Sequence, residues 1–264
     1  MTPYYETALG KLYHGNCLDI LPEIEPVDLI VTSPPYDGLR EYKGYSFDWR
    51  MVAKAINNAM ADGAVCVWVV GDETTNGSES GTSFKQALWF KHIGLNLHDT
   101  MIYAKPNFSA VGALSVRYAQ VFEYMFVFTK GRLKTFNPIK DRYCSTRGQK
   151  KGGTIRQKDG SMKRKSNEGK VQAAFGQRYN IWEMTSQTQG QDHPAPFPIK
   201  LAIDHIVSWS NIGDLVLDPM SGSGTTAVAC ERLNRRWIVI EISEEYCEIS
   251  ARRIERETSQ LKLF

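Results

Sequence analysis

At 264 residues, 42% apolar and 23% charged, the chain has the composition of a soluble globular protein, with room for one large α/β domain and an insertion. Cys17, Cys66, Cys144, Cys230 and Cys247 form no C-x-x-C pair and have no histidine at zinc spacing, so neither a disulfide framework nor a metal site is indicated. The net charge of +3 hides an asymmetry: residues 130–178 hold 15 Lys and Arg against three acids, a local +12, so the remainder carries −9. Such a basic block is the footprint of a segment that meets a polyanion, with a merely solvated loop as the plain alternative. No apolar run reaches membrane-spanning length and the N-terminus lacks a basic and apolar signal pattern, which makes the cytoplasm the expected compartment and a membrane an excluded partner.

The N-terminal third alternates strand and helix patterns. Lys11 to Cys17 reads as a short strand into a turn, and Leu18 to Leu21 as one helical turn stopped by Pro22. Val27-Asp28-Leu29-Ile30-Val31 is a β-rich run ending in Thr32-Ser33-Pro34-Pro35-Tyr36, where two prolines remove amide donors and stiffen the chain beyond the sheet edge. Gly38 to Phe47 reads as a loop, and Trp49 to Met60 has apolar residues at helical spacing. Ala64 to Val70 is an apolar strand closed by Gly71-Asp72, followed by a helix from Ser83 to Ile93 and strands over Leu97 to Ala104 and Val121 to Phe128. Strands separated by helices predict a mainly parallel sheet.

From Gly131 to about Tyr179 periodicity fades, glycines recur and basic charge rises, which predicts a loop-rich insertion. Sheet organisation resumes at Asn180-Ile181-Trp182, followed by the proline-rich His193 to Pro198 and a helix from Ile199 to Ser210. The expected division is therefore 1–130, an insertion over 131–180, and 181–264.

Leu215-Val216-Leu217 then reads as a buried strand broken by Asp218-Pro219, with Ser221-Gly222-Ser223-Gly224-Thr225-Thr226 turning into an apolar helix. Glycines let backbone pass close to a ligand, and the free amides of a helix start favour polar or anionic groups. About 20 residues on, Trp237 to Glu241 reads as the next strand, ending in a carboxylate where such sheets place the group that grips ribose hydroxyls. A P-loop would need a lysine after the last glycine, G-x-G-x-x-G spacing for a nicotinamide is not met, and a tight turn without a ligand is the plain alternative. Ser243 caps a closing amphipathic helix predicted to reach about Thr258.

Together the Ser33-Pro34-Pro35-Tyr36 loop, the Asp218 to Thr226 turn, Glu241 and the His193 to Pro198 segment resemble the amino-group DNA methyltransferases that use S-adenosylmethionine. The catalytic loop precedes the cofactor turn, with the basic insertion between them, an order similar to the circularly permuted β group of that family. The resemblance implies a Rossmann-like sheet with helices on both faces, double-stranded DNA as partner, and no metal. It leaves open monomer or homodimer, and a cognate restriction endonuclease.

It further implies that Asp218, Pro219 and the Ser221, Gly222, Ser223, Gly224, Thr225 backbone hold the methionine part of the cofactor, while Glu241 accepts from its ribose. Phe197 and Pro198 would line the same pocket, with adenine near Asn16 and Cys17, where Gly15-Asn16 stands in place of the family's commoner Gly-Asp. An exocyclic amine is a poor nucleophile because its lone pair is delocalised into the ring; acceptors for its two hydrogens, here Ser33 Oγ and the Pro34 carbonyl, can pyramidalise and aim it. Tyr36 offers a face on which a flipped base can stack. Cytosine N4 is favoured over adenine N6 because the loop begins with Ser33 and not Asp. An RNA or protein methyltransferase and a non-catalytic nucleic-acid-binding module are the readings from other classes. Lys150, Lys151, Lys163, Arg164 and Lys165 are the expected DNA phosphate contacts.

Overall fold

The computed structural model describes residues 1–35, 47–106, 116–185 and 198–261. Among them, the chain divides into two units: Met1–Asn137 with Asn180–Phe264, and Pro138–Tyr179.

The larger unit is built on strands β1 (Tyr5–Glu6), β2 (Gly10–His14), β3 (Val27–Thr32), β4 (Met60–Val70), β5 (Asn96–Ala104), β6 (Phe122–Thr129), β7 (Ile181–Glu183), β8 (Leu215–Asp218) and β9 (Arg236–Glu241). Its helices are α1 (Cys17–Ile20), α2 (Trp49–Ala59), α3 (Thr82–His92), α4 (Ile199–Trp209), α5 (Thr225–Leu233) and α6 (Glu244–Leu261). Among the described residues the nine strands form one sheet in the order β1-β2-β9-β8-β3-β4-β6-β5-β7. The run β2-β9-β8-β3-β4 is parallel throughout. The β4-β6 and β6-β5 pairs are antiparallel, so β6 runs against the strands on either side of it.

Period-2 alternation along the central strands feeds two cores, one on each face of the sheet. Leu29, Val31, Val65, Val67 and Val69 pack with Leu201 and Ile206 of α4, Ala227 to Cys230 of α5, and Cys247 and Ile254 of α6. The residues between them, Ile30, Cys66, Trp68 and Val70, pack with Ile20 of α1, Val52 and Ile56 of α2, and Ala87 and Phe90 of α3. A strand buried on both faces reads as the continuous apolar run seen in sequence. Each fully buried Val, Leu or Ile contributes about 1.5–3 kcal/mol to that packing.

Some boundaries differ from those expected. β4 starts at Met60, since Val27 pairs with Met60 before the register shifts and the ladder resumes at Leu29 and Val65. Ahead of the expected start at Ala64, Gly63, at φ 82°, donates to Lys130 O and accepts from Lys134 N. α1 ends at Ile20, ahead of Pro22, and a 3-10 turn over Leu21–Glu23 follows that accommodates the proline in its first turn. α6 runs to Leu261. No helix among the described residues is long and apolar enough to cross a membrane.

In the smaller unit, Arg142–Tyr143 pairs with Phe175–Gly176, and Thr154–Arg156 with Met162–Arg164, both antiparallel. Twelve Lys and Arg and three acids fall between residues 138 and 179. Asp141 pairs with Arg178 at its base, and the Arg142 and Arg147 guanidinium groups lie over Tyr179 and Tyr143 at 4.5 and 5.0 Å. Residues 131–137, expected in the insertion, lie with the larger unit: Asn137 donates to Val207 and Ser210 at the end of α4.

Candidate active site

Strand order brings the motifs together. β2, β9, β8 and β3 are consecutive neighbours, so their carboxyl ends carry in turn Gly15-Asn16, Glu241, the glycine turn and the Ser-Pro-Pro loop. Ligands bind beyond the carboxyl ends of the strands in open α/β sheets.

The turn after β8 is fixed by backbone bonds from Ser221 N to Ile240 O and from Gly224 N to Ser221 O, both 2.9 Å. Gly222 and Gly224 have φ of 51° and 77°, in the left-handed region where a side chain is strained. At Gly224 space is lacking as well, because a Cβ there would lie 2.0 Å from Ser250 Oγ of α6.

Glu241 is 8% exposed and reaches back to this turn. Its Oε2 accepts from Gly222 N at 2.7 Å and its Oε1 from Ser243 N at 2.9 Å. Burial pushes its pKa up, while the amides of Ser243, Gly222 and Ile242 and the nearby His14 pull it back. Each oxygen retains acceptor capacity, and among the described residues no cation pairs with the carboxylate. Ser221 Oγ, equally buried, has no hydrogen-bond partner among the described residues. A buried acceptor with spare lone pairs and an orphan hydroxyl beside glycine amides match the hydroxyl-rich and zwitterionic chemistry of a nucleoside–amino acid cofactor.

Asp218, at the end of β8, is 1% exposed. Its Oδ1 accepts from Thr32 Oγ1 at 2.7 Å and from Met220 N at 3.2 Å, and its Oδ2 from Thr226 Oγ1 at 2.7 Å. It therefore ties the residue before Ser33 to the first turn of α5. Burial raises its pKa to about 6 against the pull of these three donors, with Glu241 adding a smaller push upward. This junction was not foreseen, since Thr32 and Thr226 are 186 and 8 residues from Asp218 and only the adjacency of β3 and β8 unites them.

Of the other expected residues, Ser33 and Pro35 are half-buried and Pro34 is buried directly after β3. Pro219, Ser223 and Thr225 are buried around the turn, and Pro198 is buried where α4 begins. Asn16 is exposed and caps α1, its Oδ1 accepting from Leu18 N at 3.0 Å; Cys17 beside it is buried, which raises its thiol pKa to about 11. Tyr36, Phe197 and most of the expected loop over Gly38 to Phe47 and of the His193 to Pro198 segment lie outside the described residues. In the smaller unit, Lys150, Lys163, Arg164 and Lys165 are exposed and Lys151 half-buried. Lys163 and Arg164 sit on one hairpin, where Arg164 pairs with Glu168 at 3.3 Å.

Residues 27–252 match an N6/N4 family model described as DNA methylase. The chain belongs to this DNA methylase family. It is 48% identical over 237 residues to the orphan methyltransferase M.BamHII of Bacillus amyloliquefaciens, covering 86% of this chain and 88% of that protein. It is 26% identical to the type II methyltransferase M.ScaI of Streptomyces caespitosus, over 98% of this chain and 86% of the relative. Among solved structures the fold is similar to PvuII DNA methyltransferase (cytosine-N4-specific), with a TM-score of 0.70 at 21% identity over 97% of this chain and 93% of that one. It is also similar to an M1.HpyAVI–SAM complex, with a TM-score of 0.65 at 21% identity over 93% and 100%. The methylase is thus an amino-group DNA methyltransferase with a Rossmann-like fold, and its methyl donor is S-adenosylmethionine.

Proposed function

We propose that this methylase transfers the methyl group to the N4 amine of cytosine in double-stranded DNA, on a base flipped out of the helix. The observation that carries this reading is Ser33, followed by Pro34 and Pro35, at the carboxyl end of β3 and joined through Thr32 and Asp218 to the neighbouring glycine turn. The loop begins with serine and not aspartate, and the PvuII enzyme of similar fold is described as cytosine-N4-specific.

In this reading Ser33 Oγ and the Pro34 carbonyl accept the two amine hydrogens and direct the nitrogen lone pair outward from the ring. Tyr36 stacks on the flipped base. Glu241, held by the Gly222 and Ser243 amides, accepts from the ribose hydroxyls, and the Ser221 to Thr225 turn with Asp218 and Pro219 behind it receives the methionine part. Asn16 and Cys17 border the adenine, and Phe197 and Pro198 close the pocket. Bound S-adenosylmethionine supplies an electrophilic methyl on a sulfonium. The basic residues of the Pro138–Tyr179 unit, including Lys150, Lys151, Lys163, Arg164 and Lys165, neutralise DNA phosphates.

Modified DNA digested to nucleosides and separated by mass spectrometry tests the base assignment. N4-methylcytosine is expected; N6-methyladenine overturns the choice of base, leaving the family intact.

A further inference from the structure

Arg253, on α6, belongs to none of the motifs above and lies one residue beyond the stretch matched to the family. It nevertheless reaches the cofactor turn. Its Nη1 donates to the Ser223 carbonyl and to Ser223 Oγ, both at 2.5 Å, and to Thr225 Oγ1 at 3.4 Å; its Nη2 lies 3.5 Å from the same Thr225 oxygen. It is half-buried, and no carboxylate among the described residues pairs with it, whereas its neighbour Arg232 is matched by Glu257. Burial and the charges of Arg232 and Arg256 disfavour the cation.

The hydrogen-bond inventory gives this interaction a direction. A hydroxyl has one proton to donate and two lone pairs to accept with, and a guanidinium can only donate. With Arg253 occupying lone pairs on Ser223 and Thr225, both hydroxyl protons are directed away from it. They join the amides of the first turn of the nine-residue helix α5, which by helix geometry have no acceptor within the helix. Behind them stands a positive charge. The same helix α6 packs against the turn through Ser250 and Gly224, so the guanidinium is delivered from a close-packed support.

We propose that Arg253 is a positioning residue for the methyl donor, setting Ser223 and Thr225 as hydroxyl donors to the carboxylate of its methionine moiety. This rests on the reading that the turn receives the methionine part. The remainder of the cofactor, adenosine and the sulfur, lies beyond its influence.

That separation supplies the test. Calorimetric affinities of wild type, R253M and R253K are compared for S-adenosylmethionine and for 5′-methylthioadenosine, which keeps the adenosine and sulfur but lacks the amino-acid group. R253M is expected to weaken S-adenosylmethionine about tenfold, as for removal of one charge-assisted hydrogen bond, with methylthioadenosine affinity unchanged. R253K, which keeps the charge, is expected to recover part of the affinity, S223A should reduce the cost of R253M, and S223A with T225A should make it nearly silent. Equal weakening of both ligands, or of neither, overturns the proposal, as does full additivity of S223A and R253M. Should R253M not fold, R253K carries the same comparison, with a smaller selective weakening expected. A folded wild type that binds neither ligand defeats the cofactor reading itself, whereas a wild type that binds and an R253M that binds equally defeat only the role of Arg253.

Discussion

Replacing Asp218 by asparagine should make the protein's stability respond differently to pH, with a sign set by burial. In the folded chain the carboxyl pKa is raised from the ordinary 3.8 to about 6, chiefly because the charged form is removed from water. The folded state therefore holds this proton more tightly than the unfolded one. Between pH 3.8 and about 6 stability falls as pH rises, and above that the penalty is complete. At about 1.4 kcal/mol for each tenfold change in proton affinity, ionised Asp218 costs about 3 kcal/mol at neutral pH. Asparagine escapes that cost and keeps most of the bonding. Its oxygen can still accept from Thr32 and Met220, and Thr226, now facing an amide NH2, can turn its proton to the Val31 carbonyl at 3.4 Å. Urea midpoints of both cofactor-free proteins at pH 5 and pH 7.5 read the effect. The mutant should gain about 1 to 2 kcal/mol relative to wild type over that interval, the part of the linkage curve it spans. Parallel curves would show that Asp218 is already ionised in the folded state at pH 5, so that desolvation does not dominate it.

Three further outcomes are expected. Glu241→Ala should weaken S-adenosylmethionine by roughly 1.5–3 kcal/mol, the scale for a charged hydrogen-bond partner; unchanged calorimetric affinity in a folded mutant removes Glu241 from the ribose role. Ser33→Ala should lower the single-turnover methylation rate while leaving cofactor and DNA affinity nearly intact, as for an interaction made as reaction proceeds; a defect confined to DNA binding contradicts that. Replacing Lys150, Lys151, Lys163, Arg164 and Lys165 together by alanine should flatten the salt dependence of DNA binding by about one unit of slope for each phosphate no longer neutralised. Arg164 should count for less than the others because Glu168 already faces it, and an unchanged slope would make the block a solvated loop.

The sheet's strands were legible where burial on both faces or strict punctuation left a strong pattern. The apolar runs read as Val27 to Val31 and Leu215 to Leu217, stopped close before prolines, are both strands, each reaching one residue further, to Thr32 and Asp218. β1 was not legible, because two residues, Tyr5 and Glu6, carry no periodicity and owe their pairing to Lys11 and Leu12. Sheet order was beyond reach too. Nothing in the local sequence says that β8 and β9 lie between β2 and β3, so the residues of the site could be named while the Thr32–Asp218–Thr226 junction could not. Arg253 was hidden differently: on an amphipathic helix rich in Arg and Glu it reads as one more solvated charge, and only its hydrogen bonds to Ser223 set it apart.

The placement of β8 and β9 between β2 and β3 also bears on the order in which the molecule is made. The first two of these strands to leave a ribosome as neighbours in sequence, those of His14 and Thr32, are not neighbours in the finished sheet. Their inner edges stay unpaired until residues 215–241 arrive to fill the gap from the other end of the chain. Open parallel edges of this kind are slow to close and exposed to mispairing while they wait. The same insertion completes the ledge on which Ser33, the glycine turn and Glu241 meet. A growing chain therefore carries its Ser-Pro-Pro loop through most of synthesis without the glycine turn and Glu241 that stand beside it in the finished sheet.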